Sequence, residues 1–232
     1  MDFAFFEVFD QTVMEMMGSS GDLFVDTFAQ IMTCGWTWVP LYVLLLVVVI
    51  KNNESMAQIW LIIASALLCV LFSGVLSDLL VKPLTMRLRP LNDPALASVI
   101  TTVEGLENSS YSFFSSHAAN TFSLAVFFSL LIGNRWLTIV MVAWSLINCW
   151  TRIHLYMHFP SDVLVGLLWG GTVGAIVFFI HKKIFRKLTS HLHFISSQYT
   201  RTGYALTDVS AIIKMILGTV IAAIFLTFLT IF

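Results

Sequence analysis

Charged residues are scarce in this chain: lysine, arginine, aspartate and glutamate make up only 11% of its 232 residues. Soluble domains are typically about one quarter charged, so this scarcity excludes an ordinary soluble protein. Hydrophobic residues reach 58% of the chain, and the mean hydropathy is +0.89. The composition therefore predicts an integral membrane protein with the bilayer as its partner. The formal net charge of −1 gives no indication of a nucleic-acid partner, and we expect none.

Cysteine is also scarce, and the three cysteines lie in separate apolar segments. Cys34, Cys69 and Cys149 lack the spacing of metal ligands, so the pattern predicts buried structural thiols. It indicates neither a disulfide framework nor a metal site. The N-terminus also lacks a basic segment followed by an apolar core, so we expect no cleaved signal peptide.

Long apolar segments are what this chain has in abundance. A helix needs about 20 apolar residues to cross the hydrocarbon core of a bilayer. Six segments approach or reach this length, at about residues 31–50, 56–80, 117–132, 136–151, 161–180 and 211–231. The third and fourth are short, and they reach full length only if their helices extend into neighbouring polar residues. We predict an all-α bundle of six transmembrane helices, with residues 1–232 forming one domain.

Residues 1–26 have a different pattern, in which phenylalanine and methionine alternate with aspartate and glutamate. This pattern is typical of an amphipathic helix that lies in the membrane interface. The alternative is a helix packed as a cap over the end of the bundle that carries the polar clusters described below.

The distribution of lysine and arginine predicts the orientation of the bundle. With six spans, eight basic residues fall on one side of the membrane and four on the other. The side that is richer in basic residues is generally cytoplasmic. The three polar clusters described next lie on the opposite side, so we expect them to face outward. Three histidines lie on the basic side and are not expected to be catalytic: His181, His191 and His193.

Lys82, Arg87 and Arg89 belong to the first polar cluster, in the loop after the second span. Arginine offers forked donors to phosphate oxygens and lysine offers a point charge, so the cluster predicts phosphate binding. A basic patch that contacts lipid headgroups is the alternative. Asp78 lies four residues before Lys82, either to orient this lysine or as a simple interfacial carboxylate.

Ser115, Ser116 and His117 form the second cluster, where the third span begins. The first backbone N–H groups of a helix, together with its positive dipole end, attract anions. We therefore expect this helix start to contact phosphate. A serine N-cap beside an incidental interfacial histidine is the alternative.

Arg152, His158 and Asp162 form the third cluster, before and at the start of the fifth span. His158 and Asp162 are four residues apart and share one helical face if the helix begins by Pro160. A carboxylate that binds one imidazole nitrogen leaves the other free to attack phosphorus. A surface histidine paired with a first-turn aspartate is the alternative. His154 between them either lines the mouth of the site or is structural.

Together the clusters resemble the signature of the type-2 phosphatidic acid phosphatase family, which also includes glucose-6-phosphatase and the vanadium haloperoxidases. That signature reads K-x6-R-P, then P-S-G-H, then S-R-x5-H-x3-D. Every spacing within the motifs is matched by Lys82…Arg89-Pro90, Phe114-Ser115-Ser116-His117 and Thr151-Arg152…His158…Asp162. Three residues depart from it: Phe114 replaces proline, Ser116 replaces glycine and Thr151 replaces serine. Phe114 either reshapes the turn before Ser115 or forms a wall for the substrate.

This resemblance implies a phosphatase that needs neither a metal nor another cofactor. His158 would be the nucleophile that forms a phosphohistidine, and Asp162 would orient it. His117 would be the general acid for the leaving group and then the general base for water. The phosphoryl oxygens would be held by Lys82, Arg89, Arg152, Ser115 and Ser116.

We therefore predict an integral membrane lipid phosphatase that acts on a lipid phosphomonoester or diphosphate. Undecaprenyl pyrophosphate, phosphatidylglycerophosphate, phosphatidic acid and lipid A phosphate are the candidate substrates. A catalytically silent protein that binds or transports phospholipids is the alternative, and a phosphatase for soluble esters is another. The small loops favour a bacterial inner-membrane enzyme whose site faces the periplasm. The oligomeric state and the lipid specificity stay open at this point.

Overall fold

The computed structural model describes residues 4–18, 21–94, 96, 111–188 and 197–231, and these contain no β-strand. An all-α protein was expected, and the described residues confirm it. The helices are α1 (Ala4–Met17), α2 (Leu23–Thr33), α3 (Val39–Lys51), α4 (Met56–Val70), α5 (Lys82–Thr85), α6 (Ser116–Ile132), α7 (Arg135–His154), α8 (Pro160–Leu188) and α9 (Leu206–Ile231). His191 and His193 lie outside the described residues.

Four helical segments of the described chain are long and apolar enough to cross a membrane: Met56–Asn92, Arg135–His154, Pro160–Leu188 and Leu206–Ile231. A fifth span is possible if Leu23–Thr33 and Gly35–Lys51 act as one, although they are bent by 62° relative to each other. Helix α6 is apolar but shorter than these segments. The described residues thus support four or five spans, and the sixth stays a prediction.

The N-terminal region differs from the expected single helix over residues 1–26, because it divides into α1 and α2. Gly21 adopts a positive φ of 78°, a conformation that favours glycine. Asp22 then caps α2, where its carboxylate accepts from the backbone N–H of Phe24 at 2.8 Å. The predicted span 31–50 is also interrupted, since α2 ends at Thr33 and a 3₁₀ turn, Gly35–Trp38, precedes α3.

Helices α6 and α8 pack closely because three glycines form a stripe along α8. A Cβ atom at Gly166 would lie 2.7 Å from the carbonyl oxygen of Ser115, and one at Gly174 would lie 2.5 Å from that of Ser123. A Cβ atom at Gly170 would lie closer still to the carbonyl oxygen of Ala119. Small residues four apart permit such close approach of two helices in a membrane. The stripe places the start of α6 beside the start of α8, so the second and third clusters meet.

The polypeptide between α4 and α5 continues through two π-helical turns, Leu71–Val75 and Ser77–Val81. Polar contacts with α6 accompany these turns: the Ser73 hydroxyl donates to Asn120 Oδ1 at 2.8 Å. Further along, the Ser77 hydroxyl donates to the carbonyl oxygen of Phe114 at 2.9 Å. Such turns often occur at functional sites, and here they carry Lys82 to the same end of the bundle as the start of α6.

The hydrophobic core lies away from the polar clusters, among α3, α4, α6, α7 and α9. Trp38 and Trp144 pack edge to face within it, with ring centroids 5.6 Å apart. Many apolar side chains are exposed on the outer surface, as expected of helices that face lipid: Trp60, Leu67, Leu79, Leu168, Phe179, Ile221 and Phe225. Cys69 and Cys149 are buried as predicted, whereas Cys34 is exposed because it lies in the bend between α2 and the 3₁₀ turn.

A tight hairpin joins α6 and α7, as the short linker between these two apolar segments indicates. Gly133 ends α6 with a positive φ of 68°. The Asn134 side chain then accepts from the backbone N–H groups of Trp136 at 3.0 Å and Leu137 at 3.1 Å. This turn makes α6 and α7 antiparallel, so the start of α6 and the end of α7 lie at the same end of the bundle.

Candidate active site

Lys82 joins the first cluster to the second. Its side chain is buried, and Nζ lies 2.6 Å from a carboxylate oxygen of Asp78, so the expected pairing is present. The same nitrogen donates to the hydroxyl of Ser116 at 3.3 Å. Asp78 is the more exposed partner, with 53% of its side chain accessible, so solvent screens this ion pair. Lys82 is therefore held at the start of α6 with its charge largely desolvated.

Arg89 joins the first cluster to the third. The residue is only 3% exposed, and its Nη1 donates to the carbonyl oxygen of Met157 at 3.1 Å. Nearby, the backbone N–H of Leu91 donates to the carbonyl oxygen of Tyr156 at 3.2 Å. These contacts bind the loop after α5 to the loop between α7 and α8, so Arg89 lies beside the loop that carries His158.

Ser115 is the N-cap of α6, as the alternative interpretation of the second cluster had it. Its hydroxyl accepts from the backbone N–H of Ala118 at 3.3 Å, and its own backbone N–H donates to the carbonyl oxygen of Asp162 at 3.1 Å. Ser115 is fully buried, whereas Ser116 and His117 are partly exposed. The first turn of α6 therefore presents Ser116 and His117, and Ser115 secures it against α8.

The tautomer of His117 follows from its hydrogen bonds. The side-chain nitrogen of Asn148 donates to the carbonyl oxygen of Trp144 at 2.8 Å, which leaves Oδ1 of Asn148 as an acceptor. His117 Nε2 lies 3.3 Å from this oxygen, so Nε2 carries the proton. Asn148 is completely buried and was not predicted from the sequence. It fixes the ring of His117 in one orientation.

Arg152 lies at the end of α7 beside both histidines. Its Nη1 donates to the hydroxyl of Thr33 at 2.9 Å. Its Nε is buried and has no hydrogen-bond partner in the part of the chain that the structure describes. A buried donor without a partner costs free energy, and an anion in the site would satisfy it. The charge of Arg152 acts on His117 and on His158, so the three groups face a common region.

His158 lies in the loop before α8, because this helix begins at Pro160 as expected. It is 1% exposed, and its backbone N–H donates to the carbonyl oxygen of Arg152 at 3.1 Å. Its Nδ1 lies 3.8 Å from Asp162 Oδ2, which is too long for a direct hydrogen bond. The predicted pair is thus adjacent, and its members do not share a helical face.

Ser112 connects these two residues. Its hydroxyl donates to Asp162 Oδ2 and lies 3.4 Å from His158 Nδ1. A serine has one O–H, and here it is used on the carboxylate, which can only accept. His158 Nδ1 must therefore carry a proton and donate to the serine oxygen. Its Nε2 then keeps a free lone pair, which is what a nucleophile at phosphorus requires.

The protonation of His158 fits this role. Burial lowers the pKa of His158 to about 3, and Asp162 opposes this shift only in part. The positive charges of Arg152 and Arg89 add to the lowering of this pKa. The imidazole is therefore neutral at physiological pH, as a nucleophile must be.

Asp162 lies in the first turn of α8 and is fully buried. Oδ2 accepts from the Ser112 hydroxyl and also from the backbone N–H of Phe159, at 3.1 Å for the latter. Oδ1 lies 2.5 Å from Nη1 of Arg87. Arg87 belongs to the first cluster, but its contact with Asp162 could not be predicted from the sequence, and neither could the contact of Ser112, because a lone serine carries no pattern.

His154 is structural, as one of its two interpretations held. Its Nε2 lies 2.8 Å from Asp26 Oδ1, and its Nδ1 lies 3.1 Å from the carbonyl oxygen of Met17. The ring also packs against Trp150, with centroids 4.8 Å apart. These contacts bind the end of α7 to the N-terminal helices.

Phe114, which replaces the proline of the family signature, is 5% exposed and well packed. Its ring lies 6.3 Å from that of Trp169 on α8. With Phe113 and Ala119 it forms a small apolar cluster, against which Val81 and Val165 also pack. Phe114 therefore forms an apolar surface at the start of α6. Its packing against α8 and against Val81 holds the turn before Ser115 in place.

Comparisons with known proteins identify the family of this chain and several relatives. The family model described as PAP2 superfamily matches residues 58–186. A lipid A 4'-phosphatase of Bacteroides thetaiotaomicron is 34% identical over 168 residues, covering 72% of this chain and 74% of the relative. A lipid A 4'-phosphatase of Porphyromonas gingivalis is 30% identical, covering 68% of this chain and 66% of the relative.

A shorter match is phosphatidylglycerophosphatase B of Haemophilus influenzae, 38% identical over 32% of this chain and 34% of the relative. No solved structure gives a significant match. The matched region, 58–186, contains all eight site residues predicted from the sequence. The chain therefore belongs to the PAP2 superfamily and is a lipid phosphatase of its membrane branch.

Proposed function

We propose that this protein removes a phosphate group from a lipid through a phosphohistidine on His158, without a metal ion. The observation that carries the proposal is the convergence of three buried or half-buried cations and two histidines at one end of the bundle. Lys82 begins α5, Arg89 lies in the loop after it, Arg152 comes from the end of α7, and each is held by contacts already described. A site with this much positive charge binds a phosphoryl group well and repels a divalent cation.

The proposed reaction begins when the three cations bind the phosphoryl oxygens. His158 Nε2 attacks phosphorus and the bond from phosphorus to the lipid oxygen breaks. His117 enters this step protonated on both ring nitrogens, keeps its Nε2 proton hydrogen-bonded to Asn148 and gives its Nδ1 proton to that oxygen. Preorganised donors stabilise the charge that develops on the phosphoryl oxygens in this step. His117 next takes a proton from water, and the resulting hydroxide attacks phosphorus. The phosphorus–nitrogen bond then breaks, inorganic phosphate leaves and His158 is restored.

A lipid A phosphate is the substrate that we propose. Two relatives that match about 70% of this chain bear the name lipid A 4'-phosphatase. The site lies at the ends of apolar helices, where a lipid phosphate in the headgroup region would meet it. The leaving group in this case is a sugar alkoxide, which requires the general acid that His117 would supply.

We also propose that six helices cross the bacterial inner membrane, with the active site toward the periplasm. Helix α6 would be the additional span, because its antiparallel hairpin with α7 requires both helices to run the same depth. The basic residues at the end of α8, among them Lys182, Lys183, Arg186 and Lys187, lie at the opposite end from the site and would face the cytoplasm.

Phosphate release by purified protein in detergent tests the proposal. The substrates are lipid A phosphate, phosphatidylglycerophosphate, phosphatidic acid and undecaprenyl pyrophosphate, each with EDTA present. We expect release from lipid A phosphate that survives EDTA and disappears in His158→Ala. His181→Gln is the control, because His181 is buried beside Ser65, far along α8 from the site. Loss of activity with EDTA, or release that persists in His158→Ala, would contradict the proposal.

A further inference from the structure

An acidic residue of the N-terminal helix lies against the active site, although its sequence context gives no sign of this. Asp10 on α1 is 2% exposed. One carboxylate oxygen accepts from the backbone N–H of Ser161 at 2.7 Å, and the other accepts from the Ser161 hydroxyl at 2.7 Å. That second oxygen also lies 2.6 Å from Nη2 of Arg87.

Arg87 bridges this carboxylate and the one beside the nucleophile. While Nη2 contacts Asp10, Nη1 donates to Asp162 Oδ1 at 2.5 Å and to the Ser161 hydroxyl at 2.8 Å. The guanidinium also lies over the ring of Phe159, 4.0 Å from its centroid. Planar arginine forks suit such double pairing, and each contact removes a way for the side chain to turn.

The charges of this network explain why a second carboxylate is useful. Arg87 and Asp162 are both almost completely buried, with 9% and 0% of their side chains exposed. The contacts of Arg87 with Asp162 and with the Ser161 hydroxyl both use Nη1, so they hold one edge of the guanidinium. Asp10 fixes the other edge of the guanidinium and thereby fixes the direction from which Asp162 is held. Asp162 in turn accepts a hydrogen bond from the Ser112 hydroxyl, whose oxygen accepts a hydrogen bond from His158 Nδ1–H.

The N-terminal segment is attached to this region at a second point. His154, two residues after Arg152, contacts Met17 at the end of α1 and Asp26 in α2. Both attachments come from residues outside the region matched by the family model, 58–186. The segment therefore lies outside the region matched by the family model, and it reaches that region at the catalytic loop.

We infer that Asp10 is a positioning residue of the phosphatase. Through Arg87 and Ser161 it holds Asp162, and with it the nucleophile His158, in the position that the reaction requires. This inference rests on the function proposed above. It gives the N-terminal helix a role in the reaction in addition to any contact with the membrane interface. Because Asp10 lies behind Arg87 and Asp162, it acts on the rate of the chemical step, and substrate binding does not involve it.

Rapid-quench labelling of His158 from a lipid substrate with a radioactive phosphate tests this inference, with Asp10→Asn as the variant. Asparagine keeps the shape and removes the charge. We expect the labelling rate and kcat to fall about tenfold or more, because a charged hydrogen bond next to the nucleophile is lost. KM should stay within about threefold, and the fraction of protein that becomes labelled should equal that of the wild type. Asp10→Glu should restore part of the rate.

Glu7→Gln and Glu15→Gln are the matched controls, since both glutamates lie on the same helix and are exposed. A labelling rate for Asp10→Asn equal to that of these controls overturns the inference. A normal rate with a smaller labelled fraction also overturns it, because α1 would then only stabilise the fold. If Asp10→Asn does not fold, Ser161→Ala decides: a rate equal to wild type rejects the inference, and a slower rate with full labelling supports it.

The same series separates this inference from the proposed function. Wild-type protein that forms no label on His158 defeats the proposed function, whatever the variants do. Wild-type protein that labels normally, with no label in His158→Ala and an unaffected Asp10→Asn, leaves the function standing and removes only the role of Asp10.

Discussion

At the scale of single residues, the proposed mechanism depends on which ring nitrogen of His158 carries the proton. His158 has two ring nitrogens, and only the unprotonated one can attack phosphorus. The Ser112 hydroxyl donates a hydrogen bond to Asp162 and accepts one from His158 Nδ1–H, which leaves Nε2 unprotonated, as the proposed attack on phosphorus requires. The spacing of His158 and Asp162 predicted a pair, but the serine between them could not be predicted, since it comes from a separate loop.

Ser112→Ala should therefore slow the reaction without blocking substrate binding. The variant leaves the 3.8 Å gap between His158 and Asp162 without a bridge. A hydrogen bond to a charged group contributes about 1.5–3 kcal/mol, which corresponds to a decrease in kcat of about 10- to 160-fold. KM for the lipid should change little. Steady-state kinetics in detergent would measure both, with Ser210→Ala as a control on the exposed start of α9.

The burial of His158 also predicts a pH dependence of stability. Its pKa is lowered from 6.5 to about 3 in the folded protein, so the unfolded state binds more protons between these values. The contribution of His158 to the free energy of unfolding should then be full above about pH 6.5 and should decrease as the pH falls below it. Thermal unfolding at about pH 7 and about pH 5 should show a smaller acid-induced decrease for His158→Gln than for wild type. An equal decrease in both proteins would contradict the neutral, buried imidazole.

At the scale of helices, the site is assembled by the close packing of α6 on α8. Hydrophobic runs predicted these helices because length and composition are local properties. The glycines at positions 166, 170 and 174 are spaced four apart, and this spacing is a sequence sign of the close contact between the two helices. The burial of α1 against the bundle could not be predicted from the sequence in the same way. An amphipathic pattern suits a lipid interface and a protein surface equally, and the partner of Asp10 lies 77 positions away at Arg87.

Gly170→Ala should destabilise the protein and lower its activity. The added methyl group would meet the backbone of Ala119, which cannot move aside as a flexible side chain could. Overpacking of this kind costs about 1–3 kcal/mol. Gly218→Ala is the matched control, because its Cβ would meet no described atom within 4 Å and alanine favours a helix. Unfolding midpoints in detergent should fall for the first variant and hold or rise for the second; equal midpoints would contradict the close α6–α8 contact.

At the scale of the whole molecule, the proposed catalytic groups lie at one end of the bundle. The motifs lie far apart in the sequence, and the antiparallel order of α6, α7 and α8 returns each to the same end. This agreement could be predicted from the six apolar segments and the positions of the motifs between them. The break of the first apolar segment, 31–50, at Cys34 could not be predicted, because the apolar pattern continues across the bend.

Thiol labelling in intact cells tests the predicted orientation. Met86, beside the first cluster, is 63% exposed, and Lys187 is exposed at the far end of α8. In a Cys34→Ser background, a membrane-impermeant maleimide added to cells with a permeable outer membrane should label Met86→Cys. Lys187→Cys should be labelled only after the inner membrane is disrupted. The reverse pattern would place the active site in the cytoplasm.

Trapping of the covalent intermediate tests whether His158 carries the phosphoryl group. Wild-type protein mixed with a lipid phosphate labelled at phosphorus would be quenched in alkali, and the labelled peptide would be identified. The account predicts a label that is stable in alkali, labile in acid, located on His158 and missing from His158→Ala. Phosphate release by wild-type protein without such a label, or a label on another residue, would contradict it.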